Sequence, residues 1–223
     1  MRELFEVTFY LLYLAIIISV GIVMVRRCHR GAARQYWLFA VAAIMLGVGD
    51  ACYLLPRSYA LSIGKLEVNT LVTGIGLLIA ILTHAAFYIM LYHVARIRYD
   101  MQGHHILTLL AYLFAALTFF LHSLPQNNWL TNSPPWLLGV IRNIPYVALG
   151  LLDILVYYRE STIHNDGHFR FMASAIACNY GCYIPVVVWV AFAPSLWVLM
   201  IPQACTFLWI IIQGFRALSS EIK

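Results

Sequence analysis

Seven apolar runs, each long enough to cross a bilayer, take up most of this chain and leave only short polar connections between them. About 20 apolar residues at a rise of 1.5 Å span a hydrocarbon core of about 30 Å. Runs of that kind lie near Phe5–Val25, Tyr36–Leu55, Thr73–His93, Ile106–His122, Trp136–Tyr158, Phe171–Phe192 and Leu196–Ala217. In lipid the backbone must satisfy its own hydrogen bonds, which such runs achieve as helices. The reading is an all-α polytopic membrane bundle of seven transmembrane helices, a single domain over 1–223. The first run follows Glu3 and Glu6 instead of a basic stretch, and no small-residue cleavage site follows it, so it is read as helix one.

Only 10% of the residues are charged and the mean hydropathy is +0.83. The cations are unevenly placed. Arg26, Arg27, Arg30 and Arg34 follow helix one, Arg96 and Arg98 helix three, Arg159 and Arg170 helix five, and Arg216 and Lys223 lie in the tail. The opposite side holds Arg2, Arg57 and Lys65. Positive residues collect on the cytoplasmic side, which puts the amino terminus outside and the carboxyl terminus in the cytoplasm of a cell inner (plasma) membrane protein. The net charge of +5 is therefore an orientation signal, with membrane lipids and not nucleic acid as the expected partner. Short loops leave no room for a soluble catalytic domain, and neither a Walker nor a dinucleotide glycine motif occurs.

Two short strings suggest an internal repeat. Ala51-Cys52-Tyr53-Leu54-Leu55-Pro56 in helix two parallels Gly181-Cys182-Tyr183-Ile184-Pro185 in helix six. Thr83-His84-Ala85-Ala86 in helix three can be laid over Pro202-Gln203-Ala204-Cys205 in helix seven. Both pair helices four apart, the arithmetic of a 3+1+3 parallel repeat. That arrangement resembles the PQ-loop and SWEET-type transporters and, more remotely, the wider grouping with opsins and receptors. A nearer resemblance lies in Gly49-Asp50-Ala51-Cys52-Tyr53-Leu54-Leu55-Pro56-Arg57, Arg142-Asn143-Ile144-Pro145 and Leu199–Cys205. Together these are similar to a family of uncharacterised bacterial seven-helix membrane proteins, a resemblance that implies the fold and no particular activity. The chain departs from that family's pattern at Tyr53, where His is usual, and at Gln203, where Lys is usual.

An ionisable side chain inside a span costs roughly 2.5–3.5 kcal/mol, so the few present are candidates for function. Asp50 lies 16 residues from Arg34 and Arg142 lies 17 from Arg159, so both stand about 24–26 Å from the cytoplasmic boundary. Level charges of opposite sign are expected to pair across the bundle. Helical spacing supplies their company: Asp50, Tyr53 and Arg57 share a face of helix two, and Arg142, Tyr146 and Asp153 one of helix five. His84 and Tyr88 share a face of helix three, Asn179 and Tyr183 of helix six, and Gln203 and Thr206 of helix seven. Five helices thus turn polar, tyrosine-rich stripes inward, a lining suited to a small polar or anionic solute. Asp50, His84 and Asp153 are the candidate proton-coupling groups. The same residues also serve as interhelical glue, and the spacing leaves both readings open. Pro145, Pro185 and Pro202 are expected to loosen helices five, six and seven.

Other chemistries find little support. The lysines, Lys65 and Lys223, lie outside the spans, which excludes a retinal Schiff base in the last helix. The in-span candidates His84 and Asp50 are too few for a metallohydrolase, and His164 and His168 sit in a loop, so no metal or other cofactor is expected. Cys178 and Cys182 share a face without a nearby His and are read as packing residues. Segment Ser123–Pro135 reads as a stiff uncharged cap. The function read from these features is a transporter for a small-molecule solute held in a central polar cavity. The alternatives are a seven-helix sensor that binds without transport and a lipid-modifying intramembrane enzyme.

Overall fold

The computed structural model describes residues 2–28, 33–63, 70–130 and 135–221. Arg30, Lys65 and Lys223, which entered the orientation argument, lie outside them. Among the described residues there are seven long helices: α1 (Arg2–Cys28), α2 (Arg34–Ser62), α3 (Thr70–Arg98), α4 (His105–Ser123), α5 (Trp136–Ile163), α6 (Met172–Trp189) and α7 (Met200–Glu221). Short 3-10 turns occupy Pro125–Asn127 and Pro194–Leu199. All seven, with the second turn leading into α7, are long and apolar enough to cross a membrane. The chain is a seven-helix membrane bundle.

Neighbours in sequence are neighbours in space, and α7 returns to α1 and α2 to close a ring, with α3 also reaching α5 across the middle. α4 packs on α3 and α5 at the edge. Its buried residues, Ala111, Ala115, Thr118 and His122, form one narrow stripe at helical spacing. Large apolar side chains such as Leu12, Ile79, Leu109, Leu155 and Phe192 remain exposed on the outside, as a lipid-facing surface requires. The centre is aromatic: Tyr88, Tyr92, Tyr146, Tyr157, Phe39 and Phe87 are fully buried.

α3 and α5 each run five residues past their expected ends, to Arg98 and Ile163, and three further departures involve prolines. α2 continues through Pro56 to Ser62, about two turns beyond Leu55. Proline lacks an N–H, so the carbonyl of Cys52 loses its partner in the helix. That oxygen instead faces Gly76 of α3 so closely that a Cβ there would stand 2.1 Å from it. α6 stops at Trp189 instead of Phe192, and a 3-10 turn fills Pro194–Leu199. Pro202 consequently falls in the first turn of α7, where no helical partner for its nitrogen exists, and does not kink the span. Pro145 and Pro185 do sit inside helices.

At the end of the bundle that holds the carboxyl ends of α3 and α7, a polar latch ties several elements together. The Arg98 guanidinium forms a two-pronged ion pair with Asp166, donates to the Tyr36 hydroxyl at 3.1 Å, and reaches Glu221 at 3.3 Å. It also lies 4.5 Å from the centre of the Phe169 ring, and Tyr99 donates to Asp166 at 3.0 Å. Burial pushes the Asp166 carboxyl upward, but the hydrogen bonds and charge of Arg98 outweigh it and bring it down to about 2. A folded value below the ordinary one means that this contribution is complete above about pH 4 and disappears as pH falls through about 2. Asp166→Asn is therefore expected to lower the melting midpoint at pH 7 by the equivalent of about 1–2 kcal/mol, and to flatten its fall between pH 4 and pH 2. An unchanged acid limb in the variant would show that Asp166 is not the group responsible.

Candidate functional site

A cavity of about 590 Å³ opens at the opposite end of the bundle. It lies among the carboxyl-terminal parts of α2 and α6 and the amino-terminal parts of α1, α3, α5 and α7. Its wall is mostly apolar, with Leu54, Ile81, Val186, Val187, Trp197 and Phe207 among its members. Into this surface project Tyr10, Tyr13, Asp50, Tyr53, Arg57, His84, Arg142, Asn143, Tyr183 and Gln203.

Two glycines bring α2 and α3 close enough to build the acidic part of the wall. At Gly49 a Cβ would stand 1.8 Å from Thr83 Oγ1, so only glycine permits this approach. The next residue on each helix is Asp50 and His84. His84 Nε2 stands 2.7 Å from Asp50 Oδ1, and the Tyr13 hydroxyl of α1 donates to Asp50 Oδ2 at 2.5 Å. The His84 ring packs 4.8 Å from that of Phe207 on α7. Both oxygens of Asp50 are thereby committed to neighbours on α1 and α3.

The basic part is built by the segment after α4. The Asn127 side-chain amide donates to the carbonyls of Leu121, His122 and Leu124 at 2.7–3.1 Å, capping α4. That fixes the amide so that its Oδ1 accepts from Arg142 Nη1 at 2.6 Å. Asn128 follows with φ of 52°, a left-handed conformation that asparagine tolerates, and turns Trp129 inward. Trp129 donates from Nε1 to the His122 carbonyl at 2.7 Å and presents its ring 4.3 Å from the Arg142 guanidinium carbon. Its own carbonyl presses on Gly74 of α3, where a Cβ would stand 1.8 Å away. Arg142 is 6% exposed, and among the described residues its Nε has no hydrogen-bond partner and no carboxylate forms an ion pair with it.

The expected Asp50–Arg142 pair is therefore not formed. Both residues do reach one cavity, and the depth argument placed them level. Rise per residue measures depth only; which neighbour a helix face meets around the ring is a tertiary matter. Arg57 behaves differently, pairing with Glu6 at 3.6 Å and lying 5.5 Å from the centre of the Trp197 ring.

Of the ten candidate ligand-binding residues, Asp50, Tyr53, Arg57, His84, Arg142, Tyr183 and Gln203 line the cavity. Tyr88, Tyr146 and Asn179 lie deeper and do not. The rings of Tyr88, Tyr146, Tyr180 and Tyr183 pack at 5.2–6.4 Å from one another and plug the middle of the bundle. Asn179 cross-links this plug, accepting from Tyr88 at 3.1 Å and donating to Thr206 at 2.7 Å. The stripe of α2 stays at the cavity over its whole length, whereas those of α3, α5 and α6 leave it after about one turn, where large rings fill the centre.

Sequence reasoning missed Tyr10 and Tyr13 of α1 as well as Asn127 and Trp129. Glu6, Tyr10 and Tyr13 recur at i, i+4 and i+7, a signal of the same kind as those used for the other helices. Nothing in the spacing of Asn127 or Trp129 pointed to Arg142. Segment 131–134 of the expected cap lies outside the described residues.

Asp153, two turns beyond Tyr146 on α5, is wholly buried, and among the described residues neither carboxyl oxygen has a hydrogen-bond partner. It does not line the cavity. A buried polar group without partners costs about 1–3 kcal/mol, so Asp153→Leu is expected to raise the melting midpoint of the purified protein. A fall of the midpoint would mean that the carboxyl has a stabilising partner in solution.

Comparison of the chain with protein-family models, with curated proteins and with solved structures returns no match.

Proposed function

We propose that the chain binds a small organic anion with an apolar body in this cavity and carries it across the membrane. The carrying observation is Arg142, a nearly buried cation whose protein partners, Asn127 and Trp129, are both neutral. A buried charge of this kind calls for a counter-ion, and a solute carboxylate, sulfonate or phosphate would supply it. The mostly apolar wall suits the rest of such a molecule, and Tyr53, Tyr183, Asn143 and Gln203 offer polar groups to orient it.

Transport is favoured over sensing by the arrangement along the bundle axis. The cavity is open at one end, the tyrosine plug closes it at mid-depth, and the Arg98–Asp166 latch closes the other end. Pro145 and Pro185 lie in helices that line the cavity, where they can act as hinges. In this reading the cavity mouth faces the outside of the cell and the latch the cytoplasm, an orientation that the distribution of arginines supports. Surrounding lipids are the other expected partners.

The test is a thermal-shift series on the purified protein with benzenesulfonate, benzoate and the neutral benzyl alcohol, followed by uptake into proteoliposomes. Both anions are expected to raise the melting midpoint, and the alcohol is not. Saturable uptake then supports a transporter, whereas binding without flux makes the chain a sensor. Equal shifts with the alcohol, or none with the anions, would overturn the anion site.

A further inference from the structure

The two charged parts of the cavity wall differ in one respect that bears on how an anion is accommodated. Arg142 is fixed by neutral groups, whereas Asp50 is fixed by two donors, Tyr13 at 2.5 Å and His84 at 2.7 Å. With His84 neutral, the charges on and beside the wall balance: Arg57 and Arg142 against Asp50 and Glu6. A monoanion seated against Arg142 leaves the site one negative charge in excess, in surroundings where an uncompensated charge is costly. We infer that the Asp50–His84 pair takes up one proton as the anion binds, so that solute and proton enter the cavity together. The inference rests on the anion reading above and adds the identity of the coupling ion.

The geometry says which group receives the proton. A carboxylate oxygen needs a donor, so Nε2 of His84 carries the hydrogen that faces Asp50, leaving Nδ1 to accept the incoming proton. The product is an imidazolium in contact with Asp50, positive charge being added on the cavity wall opposite the excess negative charge of the solute. The other titratable or charged groups around the pair are poor competitors. α1 brings Glu6, Tyr10 and Tyr13, α2 Tyr53 and Arg57, α3 Tyr88, α5 Arg142 and Tyr146, α6 Tyr183, and α7 Cys205 near Tyr13. Arginines stay charged, phenols and thiols ordinarily release protons only above about pH 8, and carboxylates ordinarily hold them only below about pH 5. Histidine is the side chain that ordinarily exchanges a proton between those limits.

The experiment is calorimetric titration of the purified full chain with benzenesulfonate, whose own charge does not change over the range, at pH 7.5 in buffers of different ionisation enthalpy. The wild type is expected to take up close to one proton per anion, with a dissociation constant that rises by up to tenfold per pH unit between pH 7 and pH 9. His84→Gln keeps a donor for Asp50 and should bind with no proton uptake and a flat pH profile. Asp50→Asn removes the negative charge that the proton offsets, and should bind without uptake and more tightly than the wild type at pH 9. Should a variant fail to fold, the proton count of the wild type decides by itself. Binding by the wild type with no proton taken up overturns the inference and leaves the anion site standing. Absence of any binding overturns the anion site and the inference with it.

Discussion

Arg142→Gln is expected to weaken benzenesulfonate binding by about thirtyfold or more, whereas Arg57→Gln weakens it by less than about tenfold. Removing one partner of a buried, hydrogen-bonded charge pair costs about 2–5 kcal/mol, and about 2 kcal/mol is a thirtyfold change in affinity. Arg142 meets the conditions for the large effect. It is nearly buried, stacks on Trp129, and among the described residues has no carboxylate paired with it that a proposed solute would have to displace. Glutamine retains an amide that can donate to Asn127 Oδ1, so the cap on α4 is expected to survive and the change to read out as lost charge. Arg57 already has Glu6 at 3.6 Å and the Trp197 face, and a solute must compete with that pairing for it. Binding isotherms of the two variants against the wild type separate these roles. Equal losses from both variants would move the anion to a position between the arginines, and no loss from Arg142→Gln would remove it from the site.

Gly76→Val is expected to have the largest effect on the fold, at about 3 kcal/mol or more, detected as a drop in melting midpoint or as failure to recover folded protein from the membrane. Its neighbour is not a flexible side chain. A Cβ at this position would stand 2.1 Å from the Cys52 carbonyl oxygen and 2.9 Å from Tyr53 Cα, so relief requires α2 and α3 to part. Parting them also pulls Asp50 from His84, since the same pair of helices holds both. The small residue therefore serves two ends: it accepts the carbonyl that Pro56 leaves without a helical partner, and it sets the spacing at which the acidic part of the cavity forms. A Gly76→Val protein with wild-type melting and intact binding would show that the helices are further apart than this.

Gly103, by contrast, has φ of +83° and open space around a Cβ. There the backbone conformation, and not a neighbour, accounts for glycine.

How far the sequence reached can be judged on particular residues. The seven spans were legible because the cost of leaving a backbone polar group unpaired in lipid forces long apolar helices, and length alone then counts them. The inward face of α2 was legible because Asp50, Tyr53 and Arg57 recur at helical spacing, and all three do line the cavity. The fault at Pro202 had a local cause: whether a proline kinks a helix or opens one depends on where the helix begins, and the 3-10 turn at Pro194–Leu199 moved that point. Tyr88 and Asn179 sit on correctly chosen faces, yet ring packing from other helices closes the space around them.

The sequence by itself determined the membrane setting, the number of spans and the inward faces of α2, α3, α5, α6 and α7, because those follow from hydropathy and helical period. Only the tertiary structure decided which charges meet. Asp50 turns to Tyr13 and His84, because Gly49 lets α3 come close; Arg142 turns to Asn127 and Trp129, because the chain after α4 folds back over the end of α5. A one-dimensional period carries no information about the rotation of one helix around the ring relative to the next. That rotation is set by close contacts between distant residues, and it left one arginine of the cavity without an ion pair among the described residues.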